Sequence, residues 1–100
     1  MLYAILAEDA PGTLALRREN RPAHLARMEA LQAAGQVVLA GPHPAIDSPD
    51  PGEAGFSGSL IVAEFPSLEA AREWADADPY KKAGVYARVT VKPFLQVFPR

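Results

Sequence analysis

The sequence contains no cysteine, and this absence removes several classes of chemistry. Disulfide bonds, thiolate zinc sites and cysteine nucleophiles all need this residue, so none of them belongs to this chain. A chain without cysteine also agrees with a reducing compartment, and we expect the protein to be cytoplasmic.

A basic stripe and a long apolar run are missing as well. Acidic and basic residues are interspersed and the net charge is -2, so the electrostatic pattern of a nucleic-acid-binding protein is absent. The apolar run at residues 2–7 has no basic region before it and is too short to span a bilayer. We therefore expect neither nucleic acid nor a membrane among the partners.

The residues that are present suit one small domain. The chain has 100 residues, of which 49% are hydrophobic and 22% charged, and we assign residues 1–100 to a single domain. Its prolines and glycines divide it into short segments, with no internal repeat.

Four of these segments have the composition of β-strands. Residues 2–7 and 59–65 are apolar on both sides and are predicted to lie in the centre of a sheet. Residues 36–41 and 86–91 are the other two strands, and prolines end both of them.

Two further segments have helical periodicity. The first, residues 13–34, contains Pro22, so we expect a short helical turn and then a main helix with Pro22 in its first turn. The second runs over about residues 68–78. The long connection at 43–58 is typical of a functional or disordered loop and could partly cover a pocket.

The order of these segments is βαββαβ, which predicts an α+β protein with a ferredoxin-like fold. Both helices would cover one face of a four-stranded antiparallel sheet whose first and third strands are central. The helix-free face would then expose the apolar side chains of both central strands. Because such a patch is usually buried, we expect a homodimer whose sheets pack face to face.

Two polar residues fall where helical periodicity places apolar ones. At about 100° per residue, His24 lies between Met28 and Leu31 in the apolar arc of its helix. Asp78 lies toward the buried side of the second helix, whereas Asp76 points away. A carboxylate beside a histidine fixes the tautomer and stabilises the imidazolium, as in a general acid or base.

A structural interpretation of the same pair stays open. His24 could be a core histidine bonded to a backbone carbonyl, and Asp78 could cap the turn at Pro79. Periodicity alone does not decide between a site and a structural contact.

Weaker candidates for substrate binding surround this pair. Arg17, Arg18 and Arg21 form a cluster that could bind an anionic substrate or could be a solvated charge run, and Arg21 is the candidate that we assign to substrate binding. Ser59 could place a hydroxyl near the site, and Tyr80 could line a pocket or simply pack.

No metal or cofactor site is predicted. His43 has no second histidine at metal-binding spacing, and Asp47 and Asp50 lack the regular spacing of a calcium loop. The glycines do not form a phosphate-binding loop between a strand and a helix.

The chain resembles the YciI (YCII-related) family over nearly its whole length. The segments that carry the resemblance are RPAHLARMEALQAAG, AGPHPAIDSPDPGEAGFSGS, VAEFPSLEAAREWADADPY and AGVYARVTVKPF. The resemblance implies a ferredoxin-like fold of the dimeric α/β barrel type. It also implies an active-site centre made of a histidine and an aspartate, which match His24 and Asp78.

The resemblance implies a class of function without fixing the reaction. One branch of the family is a dehydrochlorinase that removes HCl from a chlorinated hydroquinone-type ring. We therefore expect a lyase-like or hydrolase-like enzyme that moves a proton on a small molecule through His24 and Asp78, without a cofactor. The alternatives are a non-catalytic module that binds a small ligand and a purely structural pair that joins two helices.

Overall fold

The structure is a computed structural model that describes residues 1–100. Its strands are Leu2–Asp9 (β1), Val37–Pro44 (β2), Phe56–Glu64 (β3) and Tyr86–Phe94 (β4). Its helices are Leu14–Ala33 (α1), Leu68–Asp76 (α2) and Pro79–Lys82 (α3), and a 3-10 turn at Gly52–Ala54 precedes β3. No helix has the length and apolar composition needed to cross a membrane.

The four strands form one antiparallel sheet in the order β2-β3-β1-β4. The predicted central position of the first and third strands is confirmed. The helices pack on one face of this sheet. The main core lies between the helices and the sheet and is formed by Tyr3, Ile5, Leu31, Ile61, Ala63, Phe65, Ala71 and Ala75.

Pro22 lies inside the continuous helix α1, so the predicted division of this segment into a turn and a helix is wrong. A proline has no N–H to bond the carbonyl four residues earlier. That carbonyl belongs to Arg18, and both residues are exposed, so water can bond the freed oxygen. The helix therefore continues past the proline to His24 and beyond.

The strands β2 and β4 run further than predicted because both lie at the edges of the sheet. β2 passes Pro42 and ends at Pro44, and β4 passes Pro93 and ends at Phe94. An edge strand has one row of backbone groups without a neighbouring strand, so a proline there need not break a ladder hydrogen bond.

Asp78 is not part of the second helix, contrary to the prediction. The helix α2 ends at Asp76, and Asp78 is the N-cap of the short helix α3. Pro79 follows as the first residue of α3, where a missing N–H costs nothing because it would have no partner in the helix. The chain thus turns between α2 and α3 at the residue that carries the candidate carboxylate.

Candidate functional site

His24 on α1 and Asp78 at the start of α3 are in contact, although 54 residues separate them in the sequence. The Nδ1 atom of His24 lies 2.9 Å from Oδ2 and 3.1 Å from Oδ1 of Asp78. Asp78 Oδ1 also accepts a hydrogen bond from the backbone N–H of Tyr80 at 2.9 Å. The carboxylate therefore caps α3 and partners the histidine at the same time.

This contact fixes the tautomer of His24. A carboxylate can only accept hydrogen bonds, so Nδ1 carries the proton and Nε2 of the neutral ring keeps its lone pair. Nε2 has no hydrogen-bond partner in the chain. The side chains of His24 and Asp78 are 12% and 3% exposed, so the pair is shielded from bulk water and the histidine still reaches a surface.

Tyr80 holds the imidazole from one side. Its ring stacks on His24 with a centroid distance of 4.3 Å and an interplanar angle of 19°. Burial raises the pKa of the Tyr80 hydroxyl, although Arg17 and Arg21 act in the opposite direction. The phenol therefore stays protonated near neutral pH and can donate a hydrogen bond.

A buried arginine lies on the other side of Tyr80, although the sequence indicated only that it belongs to a cluster of three arginines. Arg17 is 6% exposed, and its guanidinium carbon lies 4.7 Å from the centre of the Tyr80 ring. Its Nε donates to Asp9 at 2.8 Å. A sequence signal existed, because Arg17 precedes His24 by seven residues, or about two helical turns, and so shares its face.

A cavity of about 790 Å³ opens beside this cluster, between α1 and the strands β2 and β3. Four of the predicted site residues line it: Arg21, His24, Ser59 and Tyr80. Asp78 lies behind His24 and does not line the cavity. Apolar side chains form much of the remaining wall, including Leu25, Met28, Val37 and Ile61. The cavity thus has a polar part at the histidine and an apolar body.

The other polar candidates lie away from this cavity. Asp76 is exposed and pairs with Lys81. His43 is exposed on the edge strand β2, and Asp50 accepts a hydrogen bond from the backbone of its own turn. No group of three or more His, Asp or Glu side chains lies close enough together to hold a metal ion.

Tyr86 has a buried hydroxyl, and its ring packs against the edge of Tyr80. This oxygen has no hydrogen-bond partner, and burial strongly raises the pKa of Tyr86. We expect Tyr86→Phe to leave the free energy of unfolding at neutral pH unchanged or to raise it, because the substitution removes an unsatisfied buried group. Urea unfolding at pH 7 checks this expectation, and a loss of more than about 1 kcal/mol would reveal a hydrogen bond to that oxygen.

The same residue predicts a loss of stability in alkali. The unfolded tyrosine ionises near pH 10 and the folded one only at higher pH. Ionisation of Tyr86 therefore leaves the free energy of unfolding unchanged below about pH 10. Above that pH it lowers the free energy of unfolding by up to about 1.4 kcal/mol per pH unit, because the unfolded chain ionises first. Between pH 9 and pH 11, Tyr86→Phe should lose less stability than the wild type, and parallel curves would contradict the assignment.

Comparison with known proteins shows the family of this chain. A family model described as the YCII-related domain matches residues 1–95. The protein YciI of Escherichia coli is 59% identical over 98 residues, which cover 98% of this chain and 100% of that protein. The chain belongs to the YCII-related family. A further family relative, from Haemophilus influenzae, is 54% identical over 98 residues, again 98% of this chain and all of that protein.

A solved structure similar to this YCII-related chain has a stated activity. It is the 5-chloro-2-hydroxyhydroquinone dehydrochlorinase TftG of Burkholderia phenoliruptrix AC1100, in complex with 2,5-dihydroxybenzoquinone. It has a TM-score of 0.84 and 30% identity, and the match covers 95% of this chain and 94% of that one. The ferredoxin-like fold of the dimeric α/β barrel type, expected from the family resemblance, is confirmed.

Proposed function

We propose that this protein is an enzyme that moves a proton on a small, oxygen-bearing molecule held in the cavity beside His24. His24 is the general base and acid, and Asp78 orients it. The observation that carries the proposal is the bonding of the imidazole. Nδ1 is held by a buried carboxylate, while Nε2 has no partner in the chain and its side chain lines a cavity.

The proton transfer uses the two nitrogens in different ways. Nε2 accepts a proton from a carbon or hydroxyl group of the substrate, and the electron pair left behind moves onto a substrate oxygen. The imidazolium that forms is stabilised by the negative charge of Asp78, 2.9 Å from Nδ1. Nε2 then returns the proton to the substrate or to water. A positioned acid–base group of this kind contributes about 10²- to 10⁴-fold to a rate.

The lining of the cavity suggests how a substrate is held. Arg21, Ser59 and Tyr80 line the cavity, and each of these side chains carries a hydrogen-bond donor. Arg21 forms no ion pair within the chain, since no carboxylate lies within 4.0 Å of it. The apolar wall suits the body of a small ring or carbon chain. We propose these three residues as substrate-binding groups.

The similarity to TftG supports a lyase as one form of this chemistry. That protein acts on a chlorinated hydroxyhydroquinone and binds a dihydroxybenzoquinone. If this chain carries out the same elimination, His24 takes the proton and chloride leaves with its electron pair. An oxygenated ring is therefore the first substrate class to test.

A deuterium-exchange screen tests the proposal. The protein is incubated in deuterated water with 2,5-dihydroxybenzoquinone and with small carbonyl compounds that can form enolates. The deuterium content of each compound is then measured by mass spectrometry. We expect deuterium at carbon in at least one of them. If compounds bind and are recovered without deuterium, the non-catalytic ligand-binding module is the better description.

We also propose that the protein is a homodimer formed through the helix-free face of its sheet. Leu6, Leu39 and Phe94 lie on that face and are 39%, 50% and 40% exposed. Charges of both signs accompany them, including Glu8 and Arg88, which are paired in the register of β1 and β4. A second copy would bury the apolar side chains, and its own Glu8 and Arg88 could pair with the opposite charges of the first copy.

Leu6→Glu tests this interface. The substitution places a charge in the centre of the proposed contact, and we expect a shift from dimer to monomer in sedimentation velocity. Leu16→Glu is a matched control, because Leu16 is 38% exposed on α1, outside the sheet. A wild-type protein that sediments as a monomer, or a dimer that survives Leu6→Glu, would contradict the proposed interface.

A further inference from the structure

Arg17 is tied to the wall of the cavity through Ser59. Its Nη2 donates to Ser59 Oγ at 2.8 Å and to the carbonyl oxygen of Gly58 at 3.2 Å. Its Nε and Nη2 donate to the two carboxylate oxygens of Asp9 at 2.8 and 3.3 Å. The guanidinium therefore donates hydrogen bonds to three different residues of the chain.

The surroundings of Arg17 keep it charged and prevent it from turning. Its guanidinium carbon lies 4.7 Å from the centre of the Tyr80 ring and 5.2 Å from that of Phe56. Burial acts to lower the pKa of Arg17, but the hydrogen bond and the charge of Asp9 outweigh it, and the pKa is raised. Arg17 is therefore a fixed cation that does not itself line the cavity.

The hydrogen bond from Arg17 restricts the Ser59 hydroxyl. An arginine can only donate, so Ser59 Oγ is the acceptor and its own hydrogen must point elsewhere. The Tyr86 hydroxyl lies close enough to Ser59 for a hydrogen bond from Ser59 to act on the pKa of Tyr86, but no bond between the two hydroxyls is formed in the structure. Tyr86 is therefore the competing acceptor for the Ser59 hydrogen within the chain. Ser59 lines the same cavity as His24, which leaves the cavity as a direction for this hydrogen.

We propose that Arg17 is a positioning residue that turns the Ser59 hydroxyl hydrogen into the cavity, where it binds an anionic oxygen of the substrate. The inference rests on the proposed function, because this is the oxygen that gains negative charge when His24 removes a proton. The Arg21 guanidinium and the Tyr80 phenol complete the set of donors. The ligand class is an oxygenated ring or enolate whose oxygen is negatively charged.

A double-mutant cycle tests whether Arg17 acts through Ser59. The dissociation constant of 2,5-dihydroxybenzoquinone is measured for the wild type, Ser59→Ala, Arg17→Lys and the double variant. We expect each single substitution to weaken binding about tenfold, as for a lost hydrogen bond to a charged group. In the Ser59→Ala protein, Arg17→Lys should weaken binding by less than about twofold, because the hydroxyl it positions is gone.

Three controls keep the result interpretable. Arg18→Lys makes the same substitution one residue further on, at a side chain that is 59% exposed, and should bind as the wild type does. Tyr86→Phe removes the neighbouring hydroxyl that could compete for the Ser59 hydrogen, and should not weaken binding. Circular dichroism of Arg17→Lys, whose ammonium can still pair with Asp9, should show the folded spectrum.

Several results would overturn the inference. These are full additivity in the cycle, unchanged binding by Ser59→Ala, a wild type that does not bind the ring compound, and tighter binding of inorganic phosphate than of the ring. The proposed function fails separately. In that case the cycle shows the expected coupling, but the bound compounds gain no deuterium or gain it equally with His24→Ala.

Discussion

Replacement of Asp78 by alanine is expected to lower the free energy of unfolding by about 3 kcal/mol, far more than most single surface substitutions. The substitution removes the side-chain cap of α3, which is worth about 1 kcal/mol. It also leaves the Nδ1–H of His24 without an acceptor in a buried position, which costs about 1–3 kcal/mol. Both losses fall on one side chain because one carboxylate serves both contacts.

Chemical denaturation of Asp78→Ala and Asp78→Asn measures these contributions. Asparagine is as good an N-cap as aspartate, so Asp78→Asn should retain the cap and lose mainly the charged partner of His24. Asp76→Ala is the matched control, since Asp76 lies nearby, is exposed and pairs only with Lys81. A free energy of unfolding equal to that of Asp76→Ala would show that Asp78 has no structural role.

Replacement of Arg17 by methionine is expected to destabilise the fold by about 3–5 kcal/mol. The substitution keeps the apolar volume of the side chain but leaves Asp9 without its cation. The side chains of Arg17 and Asp9 are only 7% and 5% exposed, so water cannot readily replace the lost partner. Ser59 and the Gly58 carbonyl lose a donor as well.

Two comparisons isolate the buried ion pair as the cause. Arg18→Met removes an exposed arginine whose partner Glu53 is 91% exposed, and should cost less than about 1 kcal/mol. Adding Asp9→Asn to Arg17→Met should restore part of the lost stability, because the uncompensated charge is then removed. Equal unfolding free energies for the Arg17 and Arg18 variants would contradict the buried role of Arg17.

Composition and periodicity were sufficient to predict the sheet. The two segments that are apolar on both sides are the central strands β1 and β3. The helices cover one face of each strand, and the apolar side chains of the other face belong to the proposed dimer contact. Prolines were less informative. Pro42 and Pro93 were expected to end strands and Pro22 to lie in the first turn of a helix, but all three lie inside longer elements. An exposed helix face leaves the unpaired carbonyl to water, and a sheet edge has backbone positions that need no partner strand.

The site was predictable only in part. Helical periodicity placed His24 on the buried side of its helix, but it placed Asp78 in a helix that ends at Asp76. Arg17 was named only as one of three clustered arginines, because such a cluster resembles a solvated run and its partner Asp9 comes from the end of a strand. The catalytic and binding roles, the dimer, the cytoplasmic location and the absence of a cofactor stay predictions.

Deuterium exchange by His24→Ala is the most direct test of the proposed enzyme. On the compound that the wild-type protein labels most rapidly, His24→Ala should reduce the rate of exchange by about 10²- to 10⁴-fold. Asp78→Asn should reduce it too, because the amide cannot stabilise the imidazolium. A folded His24→Ala protein that labels the compound at the wild-type rate would contradict the assignment of His24 as the base.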